Sequence, residues 1–273
     1  MNRSLISEPI KRRLRQEAGF GCCKCGIPIF EYHHIVRDSE KIEDLMILCP
    51  ICHHEATVGA MLIDEQRTYK SHPNNIMNGY VEGKLKITQK ALAISMGTNQ
   101  FIGDGNFILV DQEELLSISL NDSGMVELSI HLYDSDEKLL VNIECNEWIS
   151  GDPFPWDIES SFQWIKLRQK LGSIALEIDA RKYPIEIRAD LWRKGQNFQL
   201  GASGILFNGV LQNIGFEDLC FVGLHLNADT SDKKVSVEPD SRYGGGIYVS
   251  LSDAQERIRK GLESWEQLKV QKK

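Results

Sequence analysis

Long hydrophobic runs are missing from this sequence. Its apolar stretches are short and interrupted, as at Phe221 and Val222, whereas a membrane-spanning helix needs about 20 consecutive apolar residues. The first eleven residues are polar and include Glu8 and Pro9, which does not match a secretory signal peptide. Internal repeats and low-complexity tracts are also missing. We therefore expect a cytoplasmic protein that makes no membrane contact.

An excess of positive charge, common in nucleic-acid-binding proteins, is also missing. The 273 residues include 31 Lys and Arg against 39 Asp and Glu, a formal net charge of −8. The imbalance is uneven along the chain, because residues 1–80 carry ten basic and ten acidic residues. Residues 81–273 therefore carry the whole net charge, and only the first 80 residues avoid repelling a polyanion.

Cysteine is scarce outside one short segment. Five of the seven cysteines lie between Cys22 and Cys52, and they include two CxxC pairs, separated by 23 residues, which are Cys22 with Cys25 and Cys49 with Cys52. A CxxC turn directs two thiolates to one point, so two such turns can surround a tetrahedral Zn²⁺ ion. The spacing predicts a structural zinc site, in which Cys23 is a spare thiol that can compete with Cys22.

A structural ion would also stabilise the fold of this part of the chain. A segment of about 60 residues buries too little surface to hold itself rigid. Zinc binding contributes about 10–16 kcal/mol to folding in small modules. We therefore expect the first 80 residues to depend on the ion for their fold.

The hydrophobic pattern predicts an α+β protein with two domains. A helix starting near Ser7, with Pro9 in its first turn, is expected to end at Gly19. Beyond residue 102 the pattern alternates with period two, which predicts strands at 116–120, 126–132, 174–178 and 185–187. Helices are predicted at 158–171 and from residue 253 onward. The expected division is a first domain over 1–80, a linker over 81–100, and a β-rich, antiparallel, sandwich-like domain over 101–273.

The sequence of the second domain is compatible with two roles. Its tryptophan-containing segments suit either a surface that recognises a ligand or protein partner, or ordinary packing inside a β-sandwich. The C-terminal helix has an apolar stripe that includes Ile258, Leu262 and Trp265. This stripe suits docking of the helix onto the sheet. The alternative is that it forms the interface of a homodimer.

The residues between and beside the CxxC pairs resemble a known family. Glu31-Tyr32-His33-His34-Ile35 is followed by Glu43-Asp44-Leu45-Met46-Ile47-Leu48-Cys49-Pro50-Ile51-Cys52-His53-His54. This arrangement is similar to the HNH endonucleases, whose fold is called ββα-metal. The resemblance covers residues 11–57 and continues less specifically to residue 76. It does not extend to residues 100–273.

The resemblance implies specific roles. His33 takes the position of a metal ligand, and His34 that of the general base. His53 takes the position of the second protein ligand, and Asp44 stands where the family's middle Asn normally does. Thr57 stands where many members have a further histidine, so the catalytic cation would have His33 and His53 as its protein ligands.

The chemistry of phosphodiester hydrolysis agrees with these roles. An imidazole with a near-neutral pKa can take a proton from water, and a divalent cation stabilises the charge that grows on the phosphate. Because nitrogen ligands favour transition metals, we expect Mn²⁺, Ni²⁺ or Zn²⁺ to support activity at least as well as Mg²⁺. Asp44 lacks the amide donor of an Asn, so one hydrogen bond of the usual loop must be lost or rerouted.

Basic residues of the first domain are the candidates for phosphate contact, which supplies most sequence-independent affinity for DNA. They are Lys11, Arg12, Arg13 and Arg15 on the first predicted helix, followed by Arg37 and Lys41. An ordinary solvated basic helix is the alternative. Motifs for reading bases are not evident.

These observations predict a metal-dependent endonuclease that hydrolyses double-stranded DNA, with a role in restriction or phage defence suggested by the family. Two alternatives remain. One is a non-catalytic zinc-binding module that contacts nucleic acid or recruits a protein partner. The other is a nuclease that acts on RNA.

Overall fold

The structure is a computed structural model that describes residues 6–89, 92–151, 154–201, 204–209, 214–240, 246–250 and 253–271. The first part of the chain is helical around one small sheet, and the rest is rich in strands, so the chain is of mixed α and β type, as predicted. Within the described ranges, no helix combines the length and apolar character needed to cross a membrane.

The N-terminal part contains four helices, a short 3-10 turn and a two-stranded sheet. Its elements in chain order are α1 (Glu8–Glu17), β1 (Glu31–His34), a 3-10 turn (Ile42–Asp44), β2 (Leu45–Leu48), α2 (Pro50–Thr57), α3 (Ile63–Ser71) and α4 (Asn74–Asn78). Pro9 lies in the first turn of α1, where its missing N–H costs no hydrogen bond. Helix α1 ends at Glu17, with Ala18 as its C-cap, close to the predicted end at Gly19.

A small hydrophobic core holds these elements together. Every residue of β2 is buried, and these side chains pack with Leu14 of α1, with Met61 and with the cysteines. Strands β1 and β2 are antiparallel and pair without a register shift, so that Glu31 faces Leu48 and His34 faces Leu45. Helix α2 begins directly after Cys49, which brings the second CxxC pair to the end of this small sheet.

Nineteen further named strands and one helix follow in the described part of the chain. They are β3 (Tyr80–Lys84), β4 (Ala93–Met96), β5 (Asn99–Ile102), β6 (Gly105–Val110), β7 (Glu113–Leu120), β8 (Val126–Tyr133), β9 (Leu139–Glu144), β10 (Glu147–Gly151), β11 (Asp157–Ser161), β12 (Trp164–Arg168), β13 (Leu176–Asp179), β14 (Ile185–Arg193), β15 (Gln196–Gly201), β16 (Gly204–Gly209), β17 (Ile214–Phe216), β18 (Leu219–Val222), β19 (Leu224–Asp229), β20 (Lys234–Pro239), β21 (Ile247–Ser250) and α5 (Ala254–Gln271).

These strands form two sheets. One has eight strands in the order β20-β19-β6-β7-β8-β9-β10-β3, and the other has eleven, with β15, β16 and β17 branching from β14. Most neighbours are antiparallel, but three pairs are parallel: β14 with β4, β18 with β5 and β19 with β6. Residues of both sheets contribute to one continuous hydrophobic core.

The predicted strands are confirmed, but the predicted helix over 158–171 is wrong. That segment forms β11 and β12, an antiparallel hairpin in which Ser161 pairs with Trp164 across a two-residue tip. Ile158, Ile165 and Leu167 face the core. Their spacing suits a helical stripe as well as a hairpin, and the tip at Phe162 and Gln163 carries no Gly, Asn or Pro that would have marked a turn.

The predicted linker over 81–100 needs correction too. It contains most of β3, all of β4 and the start of β5, and Val81, Ile94 and Met96 belong to the large core. Strand β3 is an edge strand of the eight-stranded sheet. The strand-rich part therefore begins at about residue 80, and the two parts of the chain are joined without a structureless connector.

Helix α5 docks onto the sheet, which is one of the two roles predicted for its apolar stripe. Trp265 and Leu268 are buried against Ile102, Cys220 and Val222. Close approach requires Gly261, because a Cβ there would lie 2.4 Å from Ile102.

Buried polar contacts join the N-terminal part to β11. The guanidinium of Arg15 donates two hydrogen bonds to the carboxylate of Asp157, at 2.8 and 2.7 Å, and both side chains are almost fully buried. Arg12 lies over the ring of Trp156 at 4.4 Å from its centroid, and Gln16 donates to the Trp156 carbonyl. The N-terminal part is therefore held against the sheet by α1.

Candidate metal centre and histidine cluster

Four cysteine side chains converge at the end of the small sheet. The sulfurs of Cys22, Cys25, Cys49 and Cys52 all lie within 4.8 Å of one another. Within the described residues, they are the one group of three or more potential ligand side chains that converge in this way. The quartet predicted from the CxxC spacing is therefore confirmed as a cluster.

The distances between the sulfurs suit a tetrahedral zinc ion. Zn–S bonds of about 2.3 Å place tetrahedral sulfurs about 3.8 Å apart. The Sγ of Cys25 lies 3.6 Å from that of Cys49 and 3.9 Å from that of Cys52. A four-sulfur donor set of this size fits zinc, and three of its four cysteines are buried, which suits a closed structural site.

Local backbone contacts build the two cysteine turns. In the first turn, the N–H of Gly26 donates to the carbonyl of Cys22 at 2.8 Å. In the second turn, the N–H of Cys52 lies 3.5 Å from the Sγ of Cys49. Cys23 lies outside the cluster and packs in the small core, where burial raises the pKa of its thiol to about 11. Cys23 is thus a core residue, and the competition with Cys22 does not arise.

The metal-free thiols resist collective ionisation. Burial and the neighbouring sulfurs raise the pKa of Cys25 to about 12 and raise that of Cys52 further. Burial also opposes ionisation of Cys49, yet hydrogen bonds from Cys52 and Cys25 outweigh it and lower the pKa of Cys49. One thiolate therefore forms readily while its neighbours stay protonated. A bound divalent cation would supply the positive charge that lets all four ionise.

Two histidines meet beside this centre. His33 lies on β1 and His53 lies on α2, one residue after Cys52, and their ring centroids are 5.0 Å apart with planes at 79°. Strand β1 pairs with β2, which leads directly into Cys49 and α2, so the two histidines lie on neighbouring elements. The structure thus brings together the two residues predicted as ligands of a catalytic cation.

Each of the two imidazoles has one ring nitrogen engaged by a partner. The amide nitrogen of Gln66 donates to the Met61 carbonyl at 3.0 Å, so its oxygen accepts from Nε2 of His33, also at 3.0 Å. Nδ1 of His53 lies 2.8 Å from the carboxylate of Glu31. This assignment leaves Nδ1 of His33 and Nε2 of His53 as lone-pair donors. Metal-binding histidines are commonly oriented in this way.

Burial lowers the pKa of His33, and the nearby imidazoles of His53 and His34 add to this effect against the opposing hydrogen bond from Gln66. Lowering the pKa keeps His33 neutral at physiological pH. A neutral imidazole is the form that binds a metal ion.

His34 lies on the other face of β1. Strand β1 keeps a regular register, so its alternate residues point to opposite faces. Glu31 and His33 share the face of His53, while Tyr32 and His34 share the face that contacts α1, where Tyr32 binds Arg15. His34 is half-buried, and its side chain makes no hydrogen bond to another described residue. His34 is the last residue of β1. Its imidazole can therefore reach a phosphate bound beside His33 only by passing around the end of the strand.

Asp44 closes the loop between β1 and β2. Its carboxylate accepts from the hydroxyl of Ser39 at 2.7 Å and from Arg67 at 3.0 Å, and its carbonyl accepts from the N–H of Ile35. The Ser39 hydrogen bond, followed by the contact with Arg67, lowers the pKa of Asp44. Asp44 therefore shapes the loop, and it forms no part of the His33–His53 contact.

The basic residues predicted to contact phosphate have different surroundings. Arg15 is buried against Asp157, which excludes it from contact with a ligand at the surface. Arg12 stacks on Trp156, and Lys11 and Arg13 pair with glutamates of their own helix. Arg37 and Lys41 are exposed in the loop that follows the histidines.

Sequence reasoning missed the residues that orient the imidazoles. Glu31 precedes His33 by two residues, so strand alternation places both on one face, and that signal was present in the sequence. Gln66 lies 33 residues from His33 on α3. Its contact depends on the packing of α3 against the small core, which no local pattern shows.

Comparison of this chain with protein-family profiles, with curated proteins and with solved structures finds no match.

Proposed function

We propose that this protein is a metal-dependent nuclease that cuts DNA, with its reacting groups on β1 and α2. The observation that carries the proposal is the contact between His33 and His53, with one ring nitrogen of each directed to a partner and the other left as a donor. Two such imidazoles, set 5.0 Å apart by a rigid frame, suit a divalent cation with open positions for phosphate oxygens.

Each side chain of the site has a separate role in this proposal. Zinc on Cys22, Cys25, Cys49 and Cys52 would hold β1 and α2 in place. His33 and His53 would hold the catalytic cation, which would stabilise the charge that develops on the scissile phosphate. Gln66 and Glu31 position the two rings. His34 would accept the proton of the attacking water, reaching the phosphate from the end of β1.

Phosphate contact along the DNA is assigned to residues that remain accessible. Arg37 and Lys41 follow the histidines and are exposed, and Lys11, Arg12 and Arg13 line α1. Arg15 is left out of this set because it is buried with Asp157. The local neutrality of residues 1–80 allows a polyanion to approach this face while the strand-rich part repels it.

A plasmid-nicking assay tests the proposal. We expect nicking with Mn²⁺ or Ni²⁺ at least as fast as with Mg²⁺, and its loss in His33→Ala and in His53→Ala. Loss of a general base typically costs about 10²–10⁴-fold in rate, so His34→Ala is expected to fall in that range. His54→Ala is the matched control, because His54 is the exposed neighbour of His53. Nicking that survives the loss of His33 and His53 would refute the proposal.

A second candidate function is a zinc-stabilised module that binds nucleic acid or a protein without catalysis. The position of His34 on the face opposite His33 and His53 favours it, because a dedicated general base would share their face. This candidate predicts a folded zinc protein that cuts neither DNA nor RNA with any of the cations. Running RNA and DNA substrates side by side also separates a ribonuclease from a DNA-cutting enzyme.

A further inference from the structure

A cavity of about 610 Å³ lies away from the histidines, between the first cysteine turn and the edge of the eight-stranded sheet. Its walls come from the turn after Cys25, from α4, from β3 and β10, and from the tip of the β11–β12 hairpin. The volume falls within the range of small-molecule sites, about 300–1,000 Å³. Nothing in the proposed nuclease chemistry uses this cavity.

Trp148 supplies a buried donor to the cavity. Its side chain is 3% exposed and crosses Gly83, its partner on β3, where a Cβ would lie 2.7 Å from the indole and 2.8 Å from Pro28. The indole N–H has no acceptor among the described residues, although a buried tryptophan usually finds one. Its nitrogen is not among the unpaired atoms that are fully covered, and the side chain lines both this cavity and a neighbouring one.

Two exposed aromatic rings line the same cavity. Tyr80 begins β3, and Phe162 stands at the tip of the β11–β12 hairpin with 63% of its surface exposed. Exposing a phenyl ring to water is unfavourable unless something covers it. Aromatic faces arranged around a cavity of this size suit a flat ring.

The polar groups of α4 add a donor and an acceptor. Asn78 donates its amide to the side-chain oxygen of Asn74 at 3.0 Å. This bond leaves Asn74 with a free N–H donor and Asn78 with a free carbonyl acceptor within the described part of the chain. A donor beside an acceptor on amide side chains is the pattern that reads the edges of nucleobases.

Lys86 gives the cavity a positive charge. It is exposed and makes no ion pair with a described residue, whereas its neighbour Lys84 is paired with Glu147 at 2.7 Å. An unpaired ammonium group at the rim of a site for a flat aromatic ligand suits a phosphate group carried by that ligand.

We propose that this cavity is a nucleobase-binding site that takes a base together with its phosphate. The base stacks on Phe162 or Tyr80, accepts from the indole N–H of Trp148, and presents its edge to Asn74 and Asn78. The ligand is a free nucleotide or a base turned out of a DNA strand, and only the second source rests on the proposed nuclease function.

Isothermal titration calorimetry of the zinc-loaded full chain tests the site without any cutting. The probes are the four deoxynucleoside 5′-monophosphates, and then a short single-stranded oligonucleotide beside the same oligonucleotide with one abasic position. We expect at least one monophosphate to bind with a dissociation constant below about 1 mM. Trp148→Phe keeps an aromatic ring but removes the indole N–H, and the loss of one hydrogen bond should weaken binding about 3–10-fold.

Further variants separate stacking from general damage. Phe162→Ala removes a stacking partner and should weaken binding about tenfold or more. Asn78→Asp exchanges an amide for a carboxylate and should change the ranking of the four nucleotides. Matched controls are Trp164→Phe and Leu171→Ala, which alter a tryptophan and an exposed apolar residue outside the cavity and should leave the affinity unchanged.

The outcomes are distinct. Monophosphate binding that weakens in Trp148→Phe, with oligonucleotide binding unaffected, assigns the site to a free nucleotide. Oligonucleotide binding that weakens in the variant and with the abasic strand assigns it to a base in DNA. No binding of any probe, or binding that Trp148→Phe and Phe162→Ala leave unchanged, overturns the proposal, whatever the nicking assay shows.

Discussion

The ion pair between Arg15 and Asp157 offers a direct test of how the metal-binding part is held on the sheet. The two side chains are 5% and 2% exposed. Removing either one therefore leaves the charge of the other buried without its partner. Breaking a buried ion pair by removing one partner costs about 3–5 kcal/mol. We expect Asp157→Ala to cost that much in the free energy of unfolding, because Arg15 would keep only the hydroxyl of Tyr32.

The reverse change should cost less. Without Arg15, the carboxylate of Asp157 still has Arg168 at 3.4 Å, so we expect Arg15→Ala to cost about 2–3 kcal/mol, below the full penalty for an unpaired buried charge. Replacing both residues with apolar ones, Arg15→Met with Asp157→Leu, should recover most of the loss.

Urea unfolding, followed by both tryptophan fluorescence and circular dichroism, measures these differences and shows whether the two parts unfold together. Two results would refute the reasoning. One is a cost below about 1 kcal/mol for Asp157→Ala. The other is a double apolar variant that is as unstable as the sum of the two alanine variants.

Three further outcomes are expected. Cys49→Ser should lose zinc, as measured by metal analysis, and should unfold the N-terminal part. The control variant Cys23→Ser should keep one zinc per chain. Equal zinc contents in the two variants would contradict the assigned quartet. Histidine titrations followed by nuclear magnetic resonance should place the pKa of His33 below 6.5, because burial disfavours its cation, and that of His131 above 6.5, because its bonds to Glu114 and Glu144 outweigh burial. The contribution of His131 to stability is therefore complete below pH 6.5 and is lost as the pH rises through the raised value, and a reversed order of the two pKa values would count against the assigned contacts. Gln66→Leu should weaken Mn²⁺ binding by about 10–100-fold by freeing the ring of His33, and unchanged binding would show that Gln66 does not position it.

The cysteine quartet was predictable because its information is local. Each CxxC turn brings its own two sulfurs together, so the only long-range step is the meeting of two turns. The period-two pattern likewise predicted β7 and β8, because alternation along a strand depends on which face is buried. These features follow from the chain's own spacing and need no knowledge of distant partners.

The errors arose where distant residues decide the structure. Arg15 has the appearance of a surface residue on a basic helix, and only Asp157, 142 residues away, makes it a buried one. Phe162 lies within the segment 158–171 that was predicted as a helix, yet strand pairing places it at an exposed hairpin tip. Strand alternation alone predicts that the adjacent residues His33 and His34 point to opposite faces, and the regular register of β1 agrees with this.

The pairing of β4, β5 and β6 with β14, β18 and β19 has a consequence for synthesis on the ribosome. The four clustered cysteines are all present once residue 52 has emerged, yet the carboxylate of Asp157 that pairs with Arg15 is made more than a hundred residues later. The early strands of both sheets wait longer still for their parallel neighbours. The nascent chain thus has the complete cysteine quartet well before it has the sheet against which the N-terminal part packs.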